Sequence, residues 1–164
     1  MSPEKKARGV VLAISLCVIF LLLVMGVTFI NTIGLKYKAT GEYEWALKAL
    51  YAADSATRYA TALMQYQVNN DRYDFLNPAF WQNQQGAIPA GGDGQLLYRI
   101  YMDPEVTPNP LVLNSVEVYF ISLVCEGGFR RGNTTLAART ISAQMVISKS
   151  HREVHLVKWH EKYR

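Results

Sequence analysis

Residues 10–35 read VVLAISLCVIFLLLVMGVTFINTIGL and contain no charged side chain. A helix that crosses ~30 Å of hydrocarbon needs about 20 predominantly apolar residues, and this run exceeds that length. A core helix of a small soluble domain would be shorter and would keep one polar face. Here the polar members are sparse and give no such face before Asn31. The run therefore predicts a transmembrane helix.

The charges beside this run predict its orientation. Lys5, Lys6 and Arg8 come directly before it, and Lys36 and Lys38 follow it. Cationic residues are retained in the cytoplasm, and the cluster before the run is the denser one. We therefore expect a single-pass inner-membrane protein with a cytoplasmic N-terminus and a periplasmic C-terminal part.

Two other kinds of N-terminal segment fit less well. A cleaved secretory signal has an apolar region of about 7–15 residues followed by small residues at the cut, and this run is longer with no such site after it. A lipoprotein signal needs a small residue before the cysteine, whereas Leu16 precedes Cys17. Cys17 and Cys125 each lack a second cysteine at metal-ligand spacing, and we interpret both as small buried hydrophobes.

A second helical stretch continues from the apolar run. No proline occurs between Pro3 and Pro78, and residues 36–68 are rich in alanine, leucine and other helix formers. Within this stretch, apolar residues recur every three or four positions and form one stripe: Trp45, Ala49, Ala52, Ala56, Tyr59 and Leu63. Glu44 and Lys48 are spaced for an i,i+4 ion pair. The pattern predicts one helix from about Val10 to about Gln67.

The remaining residues, 69–164, predict a loop followed by a β-sheet. Residues 71–95 are rich in glycine and proline, which is typical of a loop. Four strands are predicted, over 96–102, 116–125, 136–147 and 154–159. Turn signals separate them at Asn109, Gly127-Gly128, Gly132-Asn133 and residues 148–152. We expect an α+β fold in which the long N-terminal helix packs on a C-terminal antiparallel four-stranded sheet.

The sequence offers little catalytic or ligand-binding chemistry. His151 and His155 have a spacing that binds zinc on a helix, but their segment is predicted to be a strand. No nucleophile elbow, phosphate loop or dinucleotide fingerprint occurs, and no basic run interleaved with aromatics predicts nucleic-acid binding. We therefore predict that the chain is not an enzyme, binds no cofactor or metal, and does not bind nucleic acid.

The N-terminal half resembles the type IV minor pilins and pseudopilins, in particular the PilX-like and pseudopilin-K-like proteins. The resemblance is carried by KARGVVLAISLCVIFLLLVMG at residues 6–26 and by the Ala-Ala-acidic-small element at Ala52–Ala56. It covers roughly residues 5–65, while the C-terminal part is similar only in its expected pilin-like architecture.

This resemblance implies a processing pathway and a set of partners. Residues 1–9 would be a basic prepilin leader, which prepilin peptidase removes by cutting between Gly9 and Val10 before it methylates the new amino group of Val10. Residues 10–35 would then serve as a transmembrane and assembly helix. The implied partners are other minor and major pilins, prepilin peptidase, the inner-membrane assembly platform and membrane lipid. The product would be a type IV pilus or a type II secretion pseudopilus.

One position departs from the pattern of major pilins. They carry a glutamate at the fifth mature residue, which pairs with the N-terminal amine of a neighbouring subunit, whereas this chain has Ile14. The same absence is common in minor subunits thought to lie at the fibre tip. We therefore expect a role in priming or capping a fibre rather than in filling its shaft.

Two interpretations stay open at the level of sequence. Asp54 is either a contact with another pilin subunit or a solvent-facing residue paired with Arg58 at i+4. The whole chain is either a minor pilin or a generic single-pass anchor that presents a periplasmic protein-binding domain.

Overall fold

The computed structural model describes residues 3–106, 108, 110–113 and 116–162. The side chains of residues 3–14 and 113 are outside that description. The chain forms two compact units, one extending to Gly41 and one starting at Glu42. The fold is α+β: a long N-terminal helix packs on an antiparallel sheet, as predicted.

Helix α1 comprises Pro3–Asn69, so its end lies two residues beyond the predicted one. Asp71 follows in the left-handed region with φ 54°, a conformation that aspartate tolerates at the end of a helix. The amide N–H groups of Asn70 and Arg72 both donate to the carbonyl of Gln67, at 3.0 and 2.9 Å. Both bonds satisfy the Gln67 carbonyl, which the last helical turn would otherwise leave unpaired.

The sheet has six strands rather than the predicted four. They are β1 Gln85–Pro89, β2 Gly94–Met102, β3 Pro110–Leu113, β4 Val116–Arg131, β5 Thr134–Ser148 and β6 Glu153–Lys162. The order is β1-β2-β4-β5-β6, and β3 pairs with the part of β4 that β2 leaves free. All pairs are antiparallel. The sheet is a meander, except that β3 shares one edge of β4 with β2.

The two strands that the sequence did not predict are short and begin or end with proline. β1 reads QGAIP, and its Pro89 lies at the end of an edge strand, where a missing N–H is tolerated. β3 reads PLVL and begins with Pro110. Neither stretch has the length or alternation that identifies a strand, so only pairing with a longer neighbour makes them strands.

The predicted turns have different outcomes. Gly132-Asn133 does join β4 to β5, and Gly132 takes φ 57° as the first residue of a two-residue hairpin loop. Residues 149–152 form the turn between β5 and β6. The prediction of a turn at Gly127-Gly128 is wrong, because both residues lie within β4.

At Gly127 the backbone of α1 and the backbone of β4 approach each other closely. A Cβ built on Gly127 would lie 2.1 Å from the carbonyl oxygen of Ala49 and 2.3 Å from the amide nitrogen of Ala53. Only a residue without a side chain permits backbone-to-backbone approach of this kind. The helix residues that face the sheet here are correspondingly small and fully or almost fully buried: Ala49, Ala52, Ala53, Ala56, Thr57 and Ala60. The predicted apolar stripe thus packs as an alanine face, although Tyr59 is 46% exposed.

The predicted loop contributes to the core. It contains a short 3-10 helix, Asp74–Leu76, and helix α2, Pro78–Gln82, whose first turn is capped by the Asn77 side chain. Phe75 and Trp81 are completely buried, and the Trp81 indole N–H donates to the Phe75 carbonyl at 2.8 Å. These aromatic side chains fill the core beside the C-terminal turns of α1, where Met64 and Val68 are also buried.

Polar contacts join the end of α1 to the β5–β6 turn. The Gln65 amide donates to the carbonyl of Arg152 at 2.7 Å and accepts from the N–H of Val154 at 3.1 Å. Arg152 also forms a two-oxygen ion pair with Asp71. The start of the last strand is therefore fixed to the helix by both backbone and side-chain bonds.

The approach at Gly127 predicts that Gly127→Ala destabilises the protein. The added methyl group would overlap helix backbone atoms, which cannot move as a flexible side chain can, and we expect a loss of ~1–3 kcal/mol or more in the free energy of unfolding. Urea unfolding of the full-length protein in detergent, followed by near-ultraviolet circular dichroism, measures this.

Gly128→Ala is the matched control. A Cβ at Gly128 would lie 3.6 Å from its nearest neighbour, Cβ of Leu97, which is an ordinary contact. Its free energy of unfolding should be unchanged or raised by up to ~1 kcal/mol. Equal losses in the two variants would contradict the close approach.

Candidate functional site

The N-terminal part of α1 presents apolar side chains on all sides. From Leu16 to Leu35 the large hydrophobic residues are 36–70% exposed. A soluble protein rarely exposes a contiguous apolar surface of this size, because it would associate or insert into lipid. This segment is therefore the first candidate functional surface.

The threonine hydroxyl groups of this segment are satisfied within the helix. Thr28 donates to the carbonyl groups of Val24 and Met25, and Thr32 donates to that of Thr28 at 2.8 Å. In hydrocarbon an unsatisfied polar group is costly, and back-bonding to the preceding turn removes that cost. The two threonines of the run thus do not oppose insertion into lipid.

Among the residues described from Ser15 onward, one helix is long and apolar enough to span a membrane, and it lies near the N-terminus. This agrees with the predicted single-pass transmembrane helix. Its orientation and the identity of the membrane stay predictions.

The predicted processing residues lie in the first part of α1. Lys5, Lys6, Arg8, Gly9 and Val10 are within its helical backbone, and so is Ile14. Their side chains lie outside the described part of the chain. The predicted cleavage between Gly9 and Val10 and the role of Ile14 therefore stay predictions.

Asp54 lies on α1 beside the alanine face. Its carboxylate accepts a bond from the Arg58 guanidinium at 2.9 Å, and the two side chains are 33% and 81% exposed respectively. The intrahelical pair predicted for solvent-facing residues is thus present in the single chain. Glu44 and Lys48 form the other predicted pair, at 2.6 Å. A contact of Asp54 with another subunit stays a prediction.

The histidines do not converge. His151 lies in the β5–β6 turn, where Nδ1 is 3.0 Å from the hydroxyl oxygens of Ser148 and Ser150. His155 lies on β6, and its Nε2 is 3.0 Å from a Glu153 carboxylate oxygen. Within the described ranges, no group of three or more histidine, cysteine, aspartate or glutamate side chains is placed to hold a metal ion.

The two cysteines differ in environment. Cys125 is completely buried under α1, and burial raises the pKa of its thiol to about 11, only partly offset by a hydrogen bond with Thr57. A thiol of that pKa stays protonated and is a poor nucleophile. Cys17 is exposed on the apolar helix, so the interpretation of both as buried residues is correct only for Cys125.

The second candidate surface is an open depression of about 740 Å³ on the sheet face opposite the helix. No motif in the sequence identifies this depression. The residues that line it come from five strands and are brought together only by the register of the sheet. Strand alternation by itself places Leu97 and Arg99 on one face. A volume in this range suits a small ligand or a short peptide.

No protein-family model, curated protein or solved structure matches this chain.

The exposed apolar helix predicts that added charge will weaken membrane association. Lysine in place of Leu23, near the middle of residues 10–35, should cost roughly 3 kcal/mol on insertion. Lysine in place of Ile30, nearer the end of the run, should add a smaller cost. We expect the unsubstituted chain to stay in the membrane pellet after alkaline carbonate extraction and the double variant to move largely to the supernatant.

Tyr51→Lys provides the control for that experiment. Tyr51 is 60% exposed on α1 but lies in the unit that begins at Glu42. Its replacement should leave the pelleted fraction unchanged. Release of the unsubstituted chain by carbonate would contradict a transmembrane role for residues 10–35.

Proposed function

We propose that this protein is a minor pilin or pseudopilin that takes part in the assembly of a type IV pilus or a type II secretion pseudopilus. The single observation that carries the proposal is the apolar surface of α1 from Leu16 to Leu35, which is exposed all round the helix. It belongs to the uncharged run that begins at Val10, just after the basic residues Lys5, Lys6 and Arg8. The prepilin-like sequence around Gly9 supports the proposal.

The proposed mechanism is an exchange of environments. The leader charges hold the N-terminus in the cytoplasm while the apolar helix is in the bilayer. Cleavage after Gly9 removes those charges, and the helix then leaves lipid for the apolar flanks of neighbouring pilin helices. The driving force is packing between helices, with no covalent chemistry performed by this chain.

The proposed place in the fibre follows from Ile14. A subunit with isoleucine at this position offers no carboxylate to the N-terminal amine of a neighbouring subunit. Such a subunit can start or end a fibre more readily than it can extend one. We therefore propose a priming or capping role.

Co-expression with prepilin peptidase tests the proposal directly. We expect mass spectrometry of the purified protein to find an N-terminus at Val10 carrying one methyl group. Gly9→Val should keep residues 1–9 attached, because it changes the residue before the scissile bond. An unprocessed chain in cells that assemble fibres normally would contradict the assignment as a minor pilin or pseudopilin.

Asp54 and Arg58 provide a second test, on the subunit contact. Their exposed i,i+4 pair contributes only ~0.3–0.5 kcal/mol, so Asp54→Asn and Arg58→Gln should lower stability equally and slightly. If Asp54 contacts another pilin, Asp54→Asn should reduce cross-linking to that subunit several-fold while Arg58→Gln does not. Equal cross-linking in both variants would mean that Asp54 makes no subunit contact and is only a solvent-facing residue of the helix.

A second candidate function is a single-pass anchor that presents a periplasmic protein-binding domain. The depression on the outer face of the sheet favours it, since fibre assembly through helices makes no use of that face. Retention of residues 1–9 together with binding through the sheet would favour the anchor over the pilin.

A further inference from the structure

The outer face of the sheet carries two adjacent cross-strand rows. In the first, small or apolar residues are paired directly across four strands: Ala87, Leu97, Gly128 and Ala138. In the second, polar residues are paired across five strands: Gln85, Arg99, Glu126, Thr140 and Lys162. Together these rows line the depression of about 740 Å³.

The depth of the depression above the first row depends on Gly128. A Cβ at this position would meet its nearest atom at 3.6 Å, and the backbone is not in a conformation that requires glycine. Its neighbour Gly127 is different, since a Cβ there would overlap α1. The fold therefore requires glycine at 127 but not at 128, where the missing side chain only leaves space above the sheet.

The polar row is partly held in place by Tyr101. The tyrosine hydroxyl donates to a Glu126 carboxylate oxygen at 3.0 Å, and the Arg99 guanidinium carbon lies 5.6 Å from the centre of the same ring. Contact with an aromatic face orients a guanidinium group while leaving its N–H donors available.

The charges of this row are unequally satisfied. Lys162 has a carboxylate partner, Asp103, at 3.7 Å. Arg99 is exposed and, in the part of the chain that the structure describes, forms no ion pair with a carboxylate. A planar guanidinium with free N–H donors binds carboxylates through two parallel hydrogen bonds.

We propose that this depression binds a peptide that carries a carboxylate next to an aliphatic side chain. The carboxylate binds Arg99, and the aliphatic side chain lies over Gly128 between Leu97 and Ala138. The carboxylate comes either from an aspartate or glutamate side chain or from a peptide C-terminus. This binding does not depend on removal of the leader or on assembly into a fibre.

Calorimetric titration of the full-length protein in lipid nanodiscs tests the proposal. Three pentapeptides serve as probes: Ala-Ala-Leu-Glu-Ala with an amidated C-terminus, the same peptide with Gln in place of Glu, and Ala-Ala-Ala-Ala-Leu with a free C-terminus. Binding of the Glu peptide alone identifies a side-chain carboxylate, and binding of the free C-terminal peptide identifies a terminal one. If neither binds more tightly than the Gln peptide, the proposal is overturned.

Variants locate the binding on the sheet. Arg99→Gln should weaken binding of the carboxylate peptide about tenfold or more, because it removes a charge-assisted bond. Gly128→Val should abolish binding by filling the depression, while near-ultraviolet circular dichroism stays unchanged. Arg58→Gln removes an equal charge from α1 and should leave binding unchanged.

Equal losses in Arg58→Gln and Arg99→Gln would mean that net charge alone attracts the peptide, and would refute a site at Arg99. If Gly128→Val does not fold, Arg99→Gln still decides the question. The N-terminus of the same preparations, read by mass spectrometry, separates failure of this site from failure of the pilin assignment.

Discussion

The contact between the backbone of α1 and the backbone of β4 at Gly127 sets the geometry of the C-terminal unit. A helix normally rests on a sheet through two layers of side chains, but here the helix contributes alanines and the strand contributes a glycine. This close approach brings the later turns of α1 over Leu123 and Cys125, and it leaves room at the far end for Phe75 and Trp81. Small residues therefore fill the narrow part of the space between helix and sheet, and large aromatic residues fill the part beside the end of α1.

The two sides of the sheet consequently differ in what they can do. The side under α1 is a continuous apolar core, and replacements there change stability. The other side carries polar residues that the core does not need, so they are free to serve recognition. The neighbouring glycines of β4 illustrate the difference, since Gly127 faces helix backbone and Gly128 faces the open depression.

Much of the fold could be predicted from the sequence because its main signals are periodic and long. The uncharged run and the alanine-rich stripe identify α1, and strand alternation identifies the four longer strands. Sequence patterns gave wrong predictions where the role of a residue depends on its tertiary contacts. A Gly-Gly pair is a turn signal, yet Gly127 is a packing residue, and QGAIP resembles a loop until β2 pairs with it. The depression could not be predicted from the sequence, because Arg99 and Glu126 become neighbours only through strand register, which no local pattern specifies.

The bonds between Gln65 and the start of β6 have a consequence for the order of folding. The alanine face of α1 is synthesised early, but the strand that Gln65 holds begins at Glu153. At ~5–20 residues per second, translation of the intervening chain takes on the order of ten seconds. For the first part of that interval, until β4 has been synthesised, the alanine face lacks the strand that carries Gly127. The bonds that fix β6 to α1 therefore form only after the last hairpin has been synthesised.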